Sequence, residues 1–238
     1  MNSDFDVKNN ITKDTRYRGS AMDYESLALC YTLQGDWGKA KATFIQANQF
    51  GQRPFHMAYN EQDPEYGGAS VTDGIQESNA IKATEFALAA GDLALAKQAA
   101  GLYRVPADNH KMPAPIHRYI FALQAFLDGD KDRAQMLLQI SLDEFLKKPS
   151  KGQNYKVNYH TLSLALLGVV LHDQPAFNKG LEAQLQFYTK AAKGEIHDTE
   201  EEFVCLHALA LTNLAIFYGL KQEIHHPLIP QGLVVSLQ

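Results

Sequence analysis

The chain has 238 residues, 45% of them hydrophobic and 21% charged, which is the profile of a globular protein able to bury a real core. Those figures exclude a disordered, collagen-like or coiled-coil chain, and no apolar run reaches the roughly 20 residues that a membrane-spanning helix needs. Lys and Arg number 22 against 27 Asp and Glu, a net charge of −5 that disfavours direct nucleic-acid binding and suits a basic partner.

In chain order, residues 1–19 are polar, carry acids without an apolar stretch, and are expected to be a frayed start rather than a secretory signal. From residue 20 to 238 the apolar residues recur at helical spacing, with no alternating strand pattern. Leu93, Ala96, Ala100 and Tyr103 share a face, as do Ile116, Ile120, Leu123 and Leu127. Tyr155, Tyr159, Leu162, Leu166 and Val169 form a further stripe, followed by Phe177, Leu181, Leu185, Tyr188 and Ala192. The stretch from Phe203 to Tyr218 is apolar on most sides and should be surrounded by neighbours.

The breaks between stripes are alike. Gly35-Asp36, Gly91-Asp92 and Gly129-Asp130 place a residue that tolerates the left-handed conformation before one that can cap the next helix, and His172-Asp173 stands in the fourth such position. This pattern predicts one all-α domain over 20–238, about nine helices in consecutive antiparallel pairs, an irregular helical repeat of tetratricopeptide-like logic. The long stretch from Arg53-Pro54 to Asp73-Gly74 reads as a loop, either functional or a tolerated insertion. Pro227 and Pro230 end helical structure near the C-terminus, so 220–238 is expected to be an arm whose Leu228, Ile229, Leu233 and Val234 pack back onto the helices.

Signatures for phosphate cradles, dinucleotide binding, nucleophile elbows and zinc proteases are missing from the sequence, so no catalytic, cofactor or metal residue is expected. Asp128-x-Asp130-x-Asp132 opens like a calcium loop but has Arg133 where glycine is needed and Gln139 where a bidentate glutamate is needed. It reads as a helix end and cap. Glu201, Cys205 and His207, with His225 and His226, contain ligand types, yet His207 lies off the face shared by Glu201 and Cys205. Cys30 and Cys205 lie inside apolar helical patterns, which suits a reducing compartment and hence the cytoplasm. The acidic run from Glu195 to Glu202 can be a charged first helical turn, with Asp198 or Thr199 as cap, or a patch facing a partner.

The C-terminal third carries a resemblance. Gln174-x-Ala176-Phe177-x-x-x-Leu181 precedes a charged link; Leu206-x-Ala208-Leu209-Ala210-Leu211-x-x-Leu214-Ala215-x-x-x-Gly219 follows, and Pro227-Leu228-Ile229-Pro230-x-x-Leu233-Val234 closes the chain. This order resembles the bacterial immunity protein family 49, whose members are encoded beside polymorphic or secreted toxins. The resemblance implies an all-helical cytoplasmic protein that neutralises one cognate toxin by stoichiometric binding. It supplies no catalytic residues, and its shared positions Phe177, Leu181, Ala208, Leu211, Leu214, Gly219 and Pro230 read as packing.

On this reading an acidic, aromatic-bearing surface covers the active site or substrate path of the toxin, and the net charge tilts the partner toward a basic nuclease-type domain. Asp63, Glu65 and Tyr66, together with Glu200, Glu201 and Glu202, are the expected contacts. Two other readings stay open: a helical-repeat adaptor that binds peptides, and an enzyme built on a His/Glu/Cys constellation.

Overall fold

The computed structural model describes residues 13–69, 75–104, 114–152, 154–194 and 196–236. Among them are nine α-helices and no strand. They are α1 (Lys13–Leu33), α2 (Trp37–Tyr59), α3 (Glu77–Ala90), α4 (Leu93–Gly101), α5 (Pro115–Leu127), α6 (Lys131–Lys147), α7 (Tyr155–Val170), α8 (Gln174–Ala191) and α9 (Leu206–Phe217). None of these helices is long and apolar enough to cross a membrane. Consecutive helices pack on each other throughout, which is the expected helical-repeat arrangement.

The turns follow the chemistry of their residues. Gly35, Gly91 and Gly129 have φ of 75°, 81° and 92°, and His172 adopts the same left-handed region with φ 53°. Asp36, Asp92, Asp130 and Asp173 then accept hydrogen bonds from the backbone N–H groups of Lys39, Leu95, Arg133 and Ala176. Asp130 is thus a cap, as its failed calcium-loop spacing indicates, while Asp128 pairs with Lys97 at 3.4 Å.

Helix α9 is the centre of the assembly. Every residue from Leu206 to Ile216 except His207 is buried, because α9 packs on α3, α7 and α8 at once. The arm closes over it as expected: Ile229 and Leu233 are buried, and the Leu228 carbonyl accepts from the Cys205 N–H at 2.9 Å. Asn213 on α9 locks three elements together. Its Nδ2 donates to the carbonyls of Leu88 (2.8 Å) and Leu233 (3.0 Å), and its Oδ1 accepts from the Val235 N–H (3.0 Å). One cluster of buried side chains runs from Ala28 on α1 to Leu233 in the arm.

Three expectations are corrected. Residues 13–19 are helical rather than frayed, because Tyr17 stacks on Phe50 and Asp14 is buried; residues 1–12 lie outside the described set. The long loop begins later than expected: α2 continues through Pro54 to Tyr59, since burial of Phe55, Met57 and Ala58 outweighs the hydrogen bond that a helical proline forfeits. The connection is therefore residues 60–76, of which 70–74 lie outside the described set. Tyr155, placed on the buried stripe of α7, is instead 53% exposed at its first turn.

Helices α7 and α8 approach so closely that their backbones touch. A Cβ at Gly168 would lie 2.2 Å from the Phe177 nitrogen, and one at Gly180 would lie 2.3 Å from the Ala165 nitrogen. Since the obstacle is backbone, no rotamer change relieves it. Gly180→Ala should lower unfolding stability by about 3 kcal/mol, read as an earlier urea midpoint at unchanged slope. A loss below about 0.5 kcal/mol would contradict this close approach.

Candidate functional site

Helices α1, α3 and α9 bring ionisable side chains together in the interior. Glu25 of α1 and Glu85 of α3 are 4% and 2% exposed, which for carboxylates demands compensation. Lys82, one turn before Glu85, reaches Glu25 Oε2 with its Nζ at 2.6 Å. His207 is the one partly exposed residue in the otherwise buried run of α9, and its Nδ1 lies 2.5 Å from Glu85 Oε1. The second oxygen, Glu85 Oε2, is buried and has no hydrogen-bond partner among the described residues.

These groups surround a pocket of about 80 Å³, walled also by Tyr188, Glu201 and Val204. Burial pushes the Glu25 carboxyl up, against the opposing pull of Lys82. Burial alone would push the His207 imidazole down, but the charge of Glu85 and its hydrogen bond outweigh that, and the net shift is upward. Around the pocket the three carboxyl groups of Glu25, Glu85 and Glu201 outnumber the two basic side chains, Lys82 and His207.

A short segment roofs this pocket. Glu200–Phe203 is one turn of 3-10 helix, not the first turn of an α-helix as expected, and Thr199 at its start makes no side-chain cap bond. The local reason is a half-buried anchor. Tyr188 Oη donates to the carbonyls of Glu201 (2.6 Å) and Val204 (3.0 Å), holding the segment in a tight turn before α9 begins. Glu202 accepts from the Asp198 N–H at 2.9 Å, and the hydroxyl of Ser26 on α1 holds the Glu200 carboxyl below its ordinary range. Phe203 stands 53% exposed beside these three partly exposed glutamates.

The six expected contact residues fall in two places. Asp63 and Glu65 already have partners within the chain. Arg53 binds Asp63 through both Nη atoms, at 2.7 and 3.0 Å, and Glu65 at 2.8 Å. Tyr17 donates to Glu65 Oε2 at 2.6 Å, and Lys13 lies 3.3 Å from Oε1. These bonds fasten the segment after α2 to α1, leaving Tyr66, at 44% exposure, as its outward group. Tyr17 and Ser26 are nine residues apart, roughly 14 Å along α1 and half a turn around it, so the two acidic groups flank opposite sides of that helix.

The Glu201, Cys205, His207 and His225 set does not converge. Cys205 is fully buried, with its thiol pushed up to about 12 by burial, whereas His207 serves Glu85 and His225 is exposed in the arm. The ligand-type side chains that do converge among the described residues, His197, Asp198 and Glu202, sit at the surface. Sequence reasoning missed Glu25, Lys82 and Glu85. The available signal for the last two was one lysine and one glutamate as the only charged residues in the run from Ala80 to Ala90. Comparisons of the chain with protein-family models, with curated proteins and with solved structures return no match.

The His207–Glu85 pair makes stability depend on pH in a defined sense. A histidine whose pKa rises on folding contributes fully below its unfolded value of about 6.5, and the contribution disappears as pH rises through the folded value. Unfolding stability should therefore fall from pH 6 to pH 8.5, with a shallower fall in His207→Gln, which keeps a donor for Glu85 but cannot titrate. Parallel pH profiles in urea denaturation would contradict the assignment.

Proposed function

We propose that this chain is a binding protein that neutralises a cognate bacterial toxin in the cytoplasm by one-to-one association, and that the Glu200–Phe203 turn and the pocket beneath it form the contact surface. The observation that carries the reading is Glu85 Oε2, a buried carboxyl oxygen without a partner among the described residues, at a small pocket where acidic side chains outnumber basic ones. Such an oxygen accepts strongly from a charged donor where water is restricted. A lysine or arginine of the partner fits that chemistry, with Glu201 at the pocket wall and Phe203 as an apolar anchor beside it.

The toxin assignment rests on the resemblance of residues 174–234 to immunity protein family 49, and the net charge of −5 favours a basic partner through faster encounter. Neutralisation requires no chemistry from this chain. Covering a basic active site or substrate path is sufficient.

The test uses the protein encoded by the gene adjacent to this one, purified and titrated against this chain. Glu201→Lys with Glu202→Lys should weaken association by about 10- to 100-fold, mostly through slower association and with a flatter salt dependence. Asp132→Lys, an exposed change on α6, should leave affinity unchanged. Equal affinity for the native chain and the double variant would overturn the surface. Equal binding to the unfolded partner would overturn recognition of a folded toxin in favour of peptide binding.

A further inference from the structure

In a chain with an excess of acids, three lysines without an ion-pair partner among the described residues meet at one cleft. Lys147 ends α6, Lys148 follows as its C-cap, and Lys156 is the second residue of α7. The cleft has a volume of about 520 Å³, within the range of small-molecule sites, and also receives Ala114 and Pro115, the N-cap and first residue of α5. Its one carboxylate among the described lining residues, Glu144, is engaged by Arg118. The three lysines therefore face the cleft opposite no carboxylate other than the Arg118-paired Glu144 among its described walls.

One occluded polar atom in the partly buried wall of the cleft points to a ligand independently. His160 Nδ1 is buried without a hydrogen-bond partner among the described residues, while its ring stacks on Phe145 with centroids 3.8 Å apart and planes 13° from parallel. The stack fixes the imidazole in the cleft wall, and burial lowers its pKa. One helix start adds to the positive field: Ala114, the N-cap residue of α5, makes no side-chain cap bond, whereas Asn154 Oδ1 already accepts from the Lys156 and Val157 N–H groups at the start of α7. Tyr155 itself is 53% exposed there, which presents an aromatic face at the edge of a basic site.

We propose that this cleft binds a small phosphate-bearing ligand of nucleotide type, its phosphates held by Lys147, Lys148, Lys156 and His160 and its ring lying on Tyr155. Lysine ammonium groups and a fixed imidazole match multiply charged phosphate oxygens. An aromatic face beside them favours a phosphate that carries a flat ring over inorganic phosphate. This site is separate from the Glu200–Phe203 turn, shares no residue with the pocket beneath it, and does not depend on the toxin reading.

Isothermal titration of the full chain at low salt with ADP, pyrophosphate, sulfate and adenosine tests the assignment. ADP should bind about tenfold more tightly than pyrophosphate, and sulfate and adenosine should bind more weakly still. Lys148→Glu with Lys156→Glu, both exposed positions, should weaken ADP at least tenfold while the thermal midpoint stays in place. Tyr155→Ala should remove the advantage of ADP and leave pyrophosphate binding unaltered. Absence of ADP binding, sulfate binding as tightly as ADP, or full ADP binding by the double-lysine variant would each overturn the proposal.

Discussion

Burying two carboxylates inside a helical stack is the constraint around which the described structure is arranged. Glu25 and Glu85 cannot remain ionised in that interior without donors, and the donors come from different helices. Lys82 ties α3 to α1, and His207 ties α9 to α3. The same requirement explains why α9, whose other polar residues Thr212 and Asn213 are buried and bonded to backbone, carries one histidine. The pairing remains incomplete at Glu85 Oε2, and an incompletely satisfied buried charge is more readily explained by a ligand than by stability alone.

Much of the architecture was legible in the sequence because its signals are local. A glycine followed by aspartate specifies a left-handed residue and a cap within two positions, and the turns at 35–36, 91–92 and 129–130 form accordingly. The all-round burial of α9 and the return of the C-terminal arm follow from composition in the same way. Pro54 misled because its local preference against helix was overridden by tertiary burial of the three apolar residues that follow it. Tyr155 misled because helical spacing does not reveal where a neighbouring helix ends and uncovers a face.

The candidate site was legible only at its surface. Glu200, Glu201 and Glu202 stand out as a run, but Glu25, Glu85 and His207 lie up to 182 residues apart and meet only through packing. Asp63 and Glu65 had the same acidic appearance as the 200–202 run. Arg53, ten residues before Asp63, gives them an internal task. Charge in a loop thus identifies exposure-prone residues, while the donor that claims them is a tertiary fact. The protein also separates its charged side chains in space: a carboxyl-rich pocket under the acidic turn at the α1–α3–α9 junction, and a lysine-rich cleft where α5, α6 and α7 meet. That separation lets a molecule with net charge −5 offer two surfaces of opposite sign.

The central claim is that the acidic turn and the pocket beneath it face a partner. Amide hydrogen exchange of the chain, alone and in complex with the product of the adjacent gene, measures this directly. The account predicts slowed exchange over 196–207 and the facing part of α1, with little change at α6. Protection confined to α5–α7, or no slowing in 196–207 within a stable complex, would contradict it.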